Sequence, residues 1–186
     1  MKLYKQPPAS ADKLRALCAI APGLDAIATL PRALVSDVRT GAVLGFTMAL
    51  CEPGFEPLAL LAKLSVRQQL GVDFARLLSL FSTLHGELEA IHLAGAVVGD
   101  LNDQNELFDP KGAVRFIDAD SFQVGGFPCE VVTEAYLDPL LYGPDITRPC
   151  ATHDGKPRWF GRGSDWYAFA AILFRSLTGV HPFGGS

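Results

Sequence analysis

The sequence contains no run of Lys or Arg, and its 16 basic residues are outnumbered by 20 acidic ones. A formal charge of −4 leaves no electrostatic footprint for nucleic acid. The opening Met1-Lys2-Leu3-Tyr4-Lys5-Gln6-Pro7 has no apolar stretch behind it, so it does not read as a signal peptide. Near the other end the longest apolar run, Ala168 to Phe174, is far too short to cross a bilayer. Four cysteines (Cys18, Cys51, Cys129, Cys150) are scattered without a Cys-x-x-Cys pair. They read as reduced thiols of a cytoplasmic protein rather than as a disulfide framework or a zinc site. Internal repeats and low-complexity segments are also missing. What is there is 186 residues, 49% hydrophobic and 19% charged, enough for one domain with a substantial core.

Along the chain, Lys2-Leu3-Tyr4 reads as the end of a strand stopped by Pro7-Pro8. Ser10 is placed to cap a helix over 11–20, where Leu14, Leu17 and Cys18 recur at helical spacing. Short strands are expected at 33–38 and 42–49, joined by a turn at Arg39-Thr40-Gly41. Beyond Cys51-Glu52-Pro53-Gly54 the texture becomes helical, with Pro57 starting one helix and 72–93 forming a longer one. Phe74, Leu77, Leu78, Phe81, Leu84, Leu88 and Ile91 give the longer helix a wide apolar stripe, and Gly95 ends it. A β-rich stretch follows: 96–98, then 106–108, a turn at Asp109-Pro110-Lys111-Gly112, then 114–117. Residues 119–163, rich in Gly and Pro, read as irregular. A last helix, 164–178, is apolar nearly all round apart from Asp165 and Arg175 and is expected in a core. Only eight residues follow it, which suggests a chain that stops within its fold.

Three polar residues stand beside tight loops that flank short strands. Asp100 and Asn105 lie in Val98-Gly99-Asp100-Leu101-Asn102-Asp103-Gln104-Asn105, and Asp118 lies in Phe116-Ile117-Asp118-Ala119-Asp120-Ser121-Phe122. A carboxylate placed directly after an apolar strand is held rigidly with its head toward a cleft. Two carboxylates and an amide supply hard oxygen ligands for Mg²⁺ and a group able to accept a hydroxyl proton. Taken singly, each is an ordinary turn residue. His85 and His92, on the long helix, are expected to pack or cap rather than bind metal. Trp159 and Phe160 are expected to anchor the irregular segment, while Trp166 and Tyr167 belong to the last helix.

The spacing of the three resembles the protein kinases, whose catalytic loop reads His-Arg-Asp-Leu-x-x-x-x-Asn with a Mg²⁺-binding Asp-Phe-Gly further on. Asp100-Leu101 is followed by Asn105 at the family offset of five, and Asp118 falls thirteen residues later through a strand–turn–strand. Thr133-Glu134-Ala135-Tyr136-Leu137-Asp138-Pro139 resembles the region that closes the activation segment. Ser164-Asp165-Trp166-Tyr167 with Leu177-Thr178-Gly179 and His181-Pro182-Phe183 resembles the family's buried central helix. The resemblance implies an α+β, protein kinase-like two-lobe fold. Residues 1–52 would form a partial N-lobe without its Gly-rich loop, and 53–186 a mostly helical, C-terminally truncated C-lobe. It further implies ATP and Mg²⁺ as cofactors and Ser/Thr hydroxyls of a protein substrate. Asp100 resembles the catalytic base, and Asn105 and Asp118 the metal ligands. Lys2 resembles the strand lysine that steadies the α/β-phosphates, and Met48 to Glu52, including Leu50, the hinge whose backbone meets adenine. Asp165 would bond the catalytic-loop backbone, because a core carboxylate needs partners. Asp118-Ala119-Asp120-Ser121-Phe122-Gln123-Val124 and Lys13-Leu14-Arg15-Ala16-Leu17 look most like a bacterial subgroup. Its kinase domains are often fused to helix-hairpin-helix modules and linked to phosphatase and von Willebrand-type partners.

Several positions depart from the family pattern. Val98 and Gly99 replace the His-Arg pair, which removes the arginine that receives an activation-segment phosphate. Asp120 stands in place of the family glycine and reads as a cap for the following turn beside Ser121, or else as a third metal-side carboxylate. Asp12 is the nearest acid for the helix glutamate that pairs with the strand lysine. Asn102 occupies a position where Ser/Thr kinases usually carry Lys, and Leu140 replaces the glutamate of Ala-Pro-Glu. These departures leave two alternatives to a protein kinase: a pseudokinase scaffold, or a small-molecule kinase of the aminoglycoside type.

Overall fold

The computed structural model describes residues 1–5, 11–142 and 159–184, and the backbone of 152–153 and 156–157. Pro7-Pro8, Ser10 and Cys150 lie outside the described residues. The chain opens with β1 (Lys2–Leu3), α1 (Ala11–Leu24), β2 (Pro31–Ser36) and β3 (Val43–Met48). The three strands form an antiparallel sheet in the order β1-β3-β2, with Lys2 opposite Phe46. A Cβ on Gly45 would sit 2.1 Å from the Lys2 carbonyl oxygen, so only glycine there allows β1 to lie against β3. Helix α1 runs four residues past its expected end, through Pro22. The reason is packing: Leu14, Leu17, Ala21 and Leu24 make one buried stripe, which outweighs a proline's missing N–H near a helix end.

Next come β4 (Glu56–Pro57), a 3₁₀ turn at Leu58–Ala62, α2 (Leu64–Gln69) and α3 (Phe74–Leu93). Pro57 therefore opens a 3₁₀ turn rather than an α-helix. The long helix starts later than expected, because the Asp73 side chain caps it by accepting from the Arg76 N–H at 2.7 Å. Its buried stripe is Leu77, Leu80, Phe81, Leu84, Leu88, Ile91 and His92, whereas Phe74 and Leu78 face outward.

Strands β5 (Ala96–Val97), β6 (Glu106–Phe108), β7 (Val114–Phe116) and β8 (Gln123–Val124) complete two small sheets, β4-β6-β7 and β5-β8. The loop after α1 is tied to β7, since the Phe116 N–H bonds the Ile27 carbonyl and the Thr29 N–H bonds the Phe116 carbonyl. Among its described residues, the stretch expected to be irregular carries three 3₁₀ turns and a short backbone pair, β9 (Thr152–His153) with β10 (Lys156–Pro157). The final helix, α4 (Arg162–Thr178), is buried along Ser164, Asp165, Ala168, Ala171, Ile172 and Ser176, while Ala170 and Phe174 are exposed. It is thus buried along one stripe, not all round as its composition suggests. Phe160 is buried, as expected of an anchor, but Trp159 is exposed. Cys18, Cys51 and Cys129 are free thiols. Among the described residues no helix is long and apolar enough to cross a membrane.

Candidate active site

The loop that carries Asp100 is held from below by a single carboxylate. Asp165, 1% exposed on α4, accepts the N–H groups of Val98 and Gly99 at 2.9 Å each. It is also 2.8 Å from His92 Nε2, which donates to it from the end of α3. The expectation for Asp165 is met, and His92 turns out to be part of the same clamp while packing edge-on against Trp166. Gly99 is left-handed at φ +77°, and a Cβ there would fall 2.7 Å from Cys129 Cβ. The place of the family arginine is therefore filled by the apolar cluster of Cys129, Leu137 and Phe160. Gln123 bonds both backbone groups of Phe160, at 2.7 and 2.9 Å, and locks that cluster to β8.

Asn102 is buried and serves the loop itself. Its Nδ2 donates to the Asp100 carbonyl, and its Oδ1 accepts from the Gln104 and Asn105 N–H groups. The side chain turns inward, so its amide serves the loop backbone. Fully buried Glu106 accepts the Asn102 N–H at 3.0 Å, and burial pushes its carboxyl well above the usual range against that bond. Asp100 Oδ1 is buried with no hydrogen-bond partner among the described residues. Burial raises the Asp100 pKa, and the Asp118 charge adds to this, while donors on Thr133 and Asn102 oppose it.

Pairing of β6 with β7 brings the second polar residue alongside the first loop, through the Ile117 N–H bonding the Asn105 carbonyl at 2.8 Å. Asp118 then takes φ +53°, ψ +31°, the only left-handed non-glycine residue among those described. Asp tolerates that region better than most, and strain of this kind gathers at functional positions. The turn is fastened by Ser121, whose N–H and hydroxyl both donate to the Asp118 carbonyl. Ser121 is thus the turn's cap, and the expected capping role for Asp120 is corrected.

Asp120 instead meets Lys2 from β1: Nζ lies 2.7 Å from Asp120 and 3.2 Å from Asp118. Tyr4 Oη donates to the other Asp120 oxygen at 2.9 Å. Burial lowers the Lys2 pKa, but the bonds to and charges of Asp120 and Asp118 outweigh it and leave it raised. Asp12 is not the partner of Lys2. It is exposed on α1 and pairs with Arg15 one turn on. The α1 side chain that reaches the loop is Lys13, which donates to the Ser121 and Pro128 carbonyls. No helix signal marks Lys13 or Asp120 in advance; the extra acid two residues after Asp118 was the available clue.

Met48 closes β3, and Leu50, 86% exposed, lies in the extended link that follows. On the far side of the loop, Arg175 of α4 pairs with Asp103 and with Tyr136 Oη, while Leu140 is exposed. That contact fastens the 133–139 segment to α4 without a glutamate at 140. Asp103, Tyr136, Tyr142, Tyr167, Arg175 and His181 line a groove of about 600 Å³ there.

Among the described residues no group of three or more His, Cys, Asp or Glu converges on a metal position. Mg²⁺ beside a nucleotide needs less: one or two protein oxygen donors, with phosphates and water completing the octahedron. The Asp118 carboxylate, 60% exposed, and the side chain of half-buried Asn105, on the neighbouring loop, each carry an oxygen of the kind that requirement asks for.

No family model matches the chain. Over 200 residues it is 29% identical to Protein kinase YegI of Escherichia coli O157:H7, covering 99% of this chain and 29% of that one. The K12 strain protein of the same name gives 29% over 197 residues, with 99% and 28% covered. The chain spans less than a third of the length of these curated relatives. Among solved structures, a yeast RNA Pol II CTD kinase CTDK-1 complex superposes with a TM-score of 0.65 at 15% identity, over 100% of this chain and 56% of that one. The fold is therefore a mixed α+β fold that resembles the protein-kinase two-lobe architecture. In sequence it is similar to proteins named as protein kinases.

Proposed function

We propose that the chain carries the phosphoryl-transfer site of an ATP- and Mg²⁺-dependent kinase acting on Ser/Thr hydroxyls of proteins. The observation that carries this reading is the meeting of Lys2 with Asp118, 116 residues apart in sequence, at 3.2 Å. Asp118 and the Asn105 amide would hold the metal, and Lys2 would steady the α/β-phosphates. The backbone from Met48 through Leu50 would receive adenine. When bound, the metal neutralises charge on the phosphates. Asp100 would orient the attacking hydroxyl and accept its proton, and the Asp165 clamp holds the backbone of the loop that carries it. Most of the rate would come from positioning and preset charge. Residues 1–52 and 53–186 serve in this reading as the two lobes. Binding through partners of the phosphatase or von Willebrand type, and a cytoplasmic site of action, belong to the same proposal.

The test is transfer of labelled phosphate from ATP to a generic protein substrate by the full-length protein and its Asp100→Asn and Asp118→Asn variants. Transfer lost in both variants supports the reading. Transfer only to aminoglycosides or sugars would replace it with a small-molecule kinase, and no transfer with no nucleotide binding would leave a scaffold.

A further inference from the structure

The kinase reading leaves the strand lysine without its usual partner, since no acidic residue of α1 reaches it. Lys2 nevertheless has a strong one in Asp120, at 2.7 Å, closer than Asp118 at 3.2 Å. Asp120 is the better enclosed of the two acids, with its side chain 13% exposed against 60% for Asp118. Its second oxygen is taken by Tyr4 Oη, from the same strand as the lysine. Both Asp120 oxygens are thus bonded to the β1 edge. Helix α1 reaches the same loop through Lys13, on the Ser121 and Pro128 carbonyls.

We propose that Asp120 is the positioning residue for Lys2, so that the anchor of the phosphate-binding lysine belongs to the loop after Asp118 and not to helix α1. The assignment rests on the phosphotransferase reading. It has a structural consequence: the lysine and the Asp118 carboxylate are set by one short turn, and the ion pair forms without α1 swinging in or out. Tyr4 Oη, bonded to the second oxygen, ties the carboxylate to the strand that carries the lysine. Charge-assisted bonds of this length are among the stronger polar contacts, and losing one removes orientation as well as attraction.

The test uses the full-length protein and an unhydrolysable ATP analogue. Asp120→Asn is expected to weaken analogue affinity roughly 10-fold, the scale of one charge-assisted bond. The Mg²⁺ concentration needed at saturating analogue should stay unchanged. In a Lys2→Met background the same substitution should cost nothing further, which a merely structural role would not produce. Nitrogen-15 relaxation of the Lys2 ammonium, read without nucleotide, should show it loosened by Asp120→Asn and not by Asp12→Asn. A raised Mg²⁺ requirement would overturn the assignment in favour of a metal ligand, and additive losses in the double variant would overturn it outright. Unaltered protein that binds no analogue would overturn the phosphotransferase reading and this assignment with it. Unaltered protein that binds while Asp120→Asn binds equally well would overturn the assignment alone.

Discussion

Asp165 offers the sharpest single perturbation of the site's foundation. Its carboxylate takes three donors, the Val98 and Gly99 N–H groups and His92 Nε2, and it is 1% exposed. Hydrogen bonds to a charged group contribute about 1.5–3 kcal/mol each, and an abandoned buried donor costs about 1–3 kcal/mol. These terms overlap, so Asp165→Ala should lose about 4–6 kcal/mol, close to the whole stability of a marginal domain. Asp165→Asn keeps one acceptor oxygen but turns an NH₂ toward a donor, and about 2–4 kcal/mol is expected. Urea unfolding of the Asn variant gives the loss directly, provided the slope is unchanged. Amide exchange at Val98 and Gly99 localises it, since both amides should exchange faster relative to the α3 core. Phosphoryl transfer should fall further than the unfolded fraction explains, because Asp100 follows Gly99 directly. A loss under about 1 kcal/mol with both amides still protected would refute the clamp.

Three other outcomes follow from named contacts. Burial pushes Glu87 to about 8, with the Arg115 charge acting against it, and its Oε2 has no partner among the described residues. An acid with a folded-state value above its unfolded one takes up a proton on folding, so its penalty is absent below about 4.5 and grows as pH rises toward 8. After discounting for its partial exposure, Glu87→Gln should stabilise the fold by about 2 kcal/mol at pH 9 and by almost nothing at pH 4; equal urea midpoint shifts at both would contradict this. Gly99→Ala should cost about 2–4 kcal/mol, from a left-handed backbone and a Cβ driven into Cys129, measured by thermal unfolding; a neutral effect would mean the loop relaxes freely. Phosphorylation or phosphomimetic acids in the 133–139 segment should not activate transfer, because an apolar cluster stands where the receiving arginine would be; strong activation in a kinase assay would contradict it.

How much of this was legible in the sequence depended on the kind of signal. The loop residues Asp100, Asn105 and Asp118 are marked by spacing alone, and strand pairing from Glu106 to Phe116 places the two loops side by side. Periodicity located α1, α3 and α4 and the ends of the latter two, but not where α3 and α4 start or where α1 stops. Asp73 sets the start of α3, and the stripe through Leu24 carries α1 past a proline. Facing was harder: Leu78 fits the apolar pattern of α3 yet points outward, and α4 is buried along a single stripe. The partners of Asp120 and His92 escaped the sequence for a common reason. These partners, Lys2 and Asp165, are 118 and 73 residues away, and a pairing at that range is fixed by tertiary geometry, not by any local preference.

The measurement that bears most directly on the central claim is Mg²⁺-dependent binding of an ATP analogue to the full-length protein beside its Asp118→Asn variant. The account predicts saturable binding that requires Mg²⁺ and is lost in the variant. Binding that persists unchanged in the variant, or no binding by the unaltered protein, would contradict it.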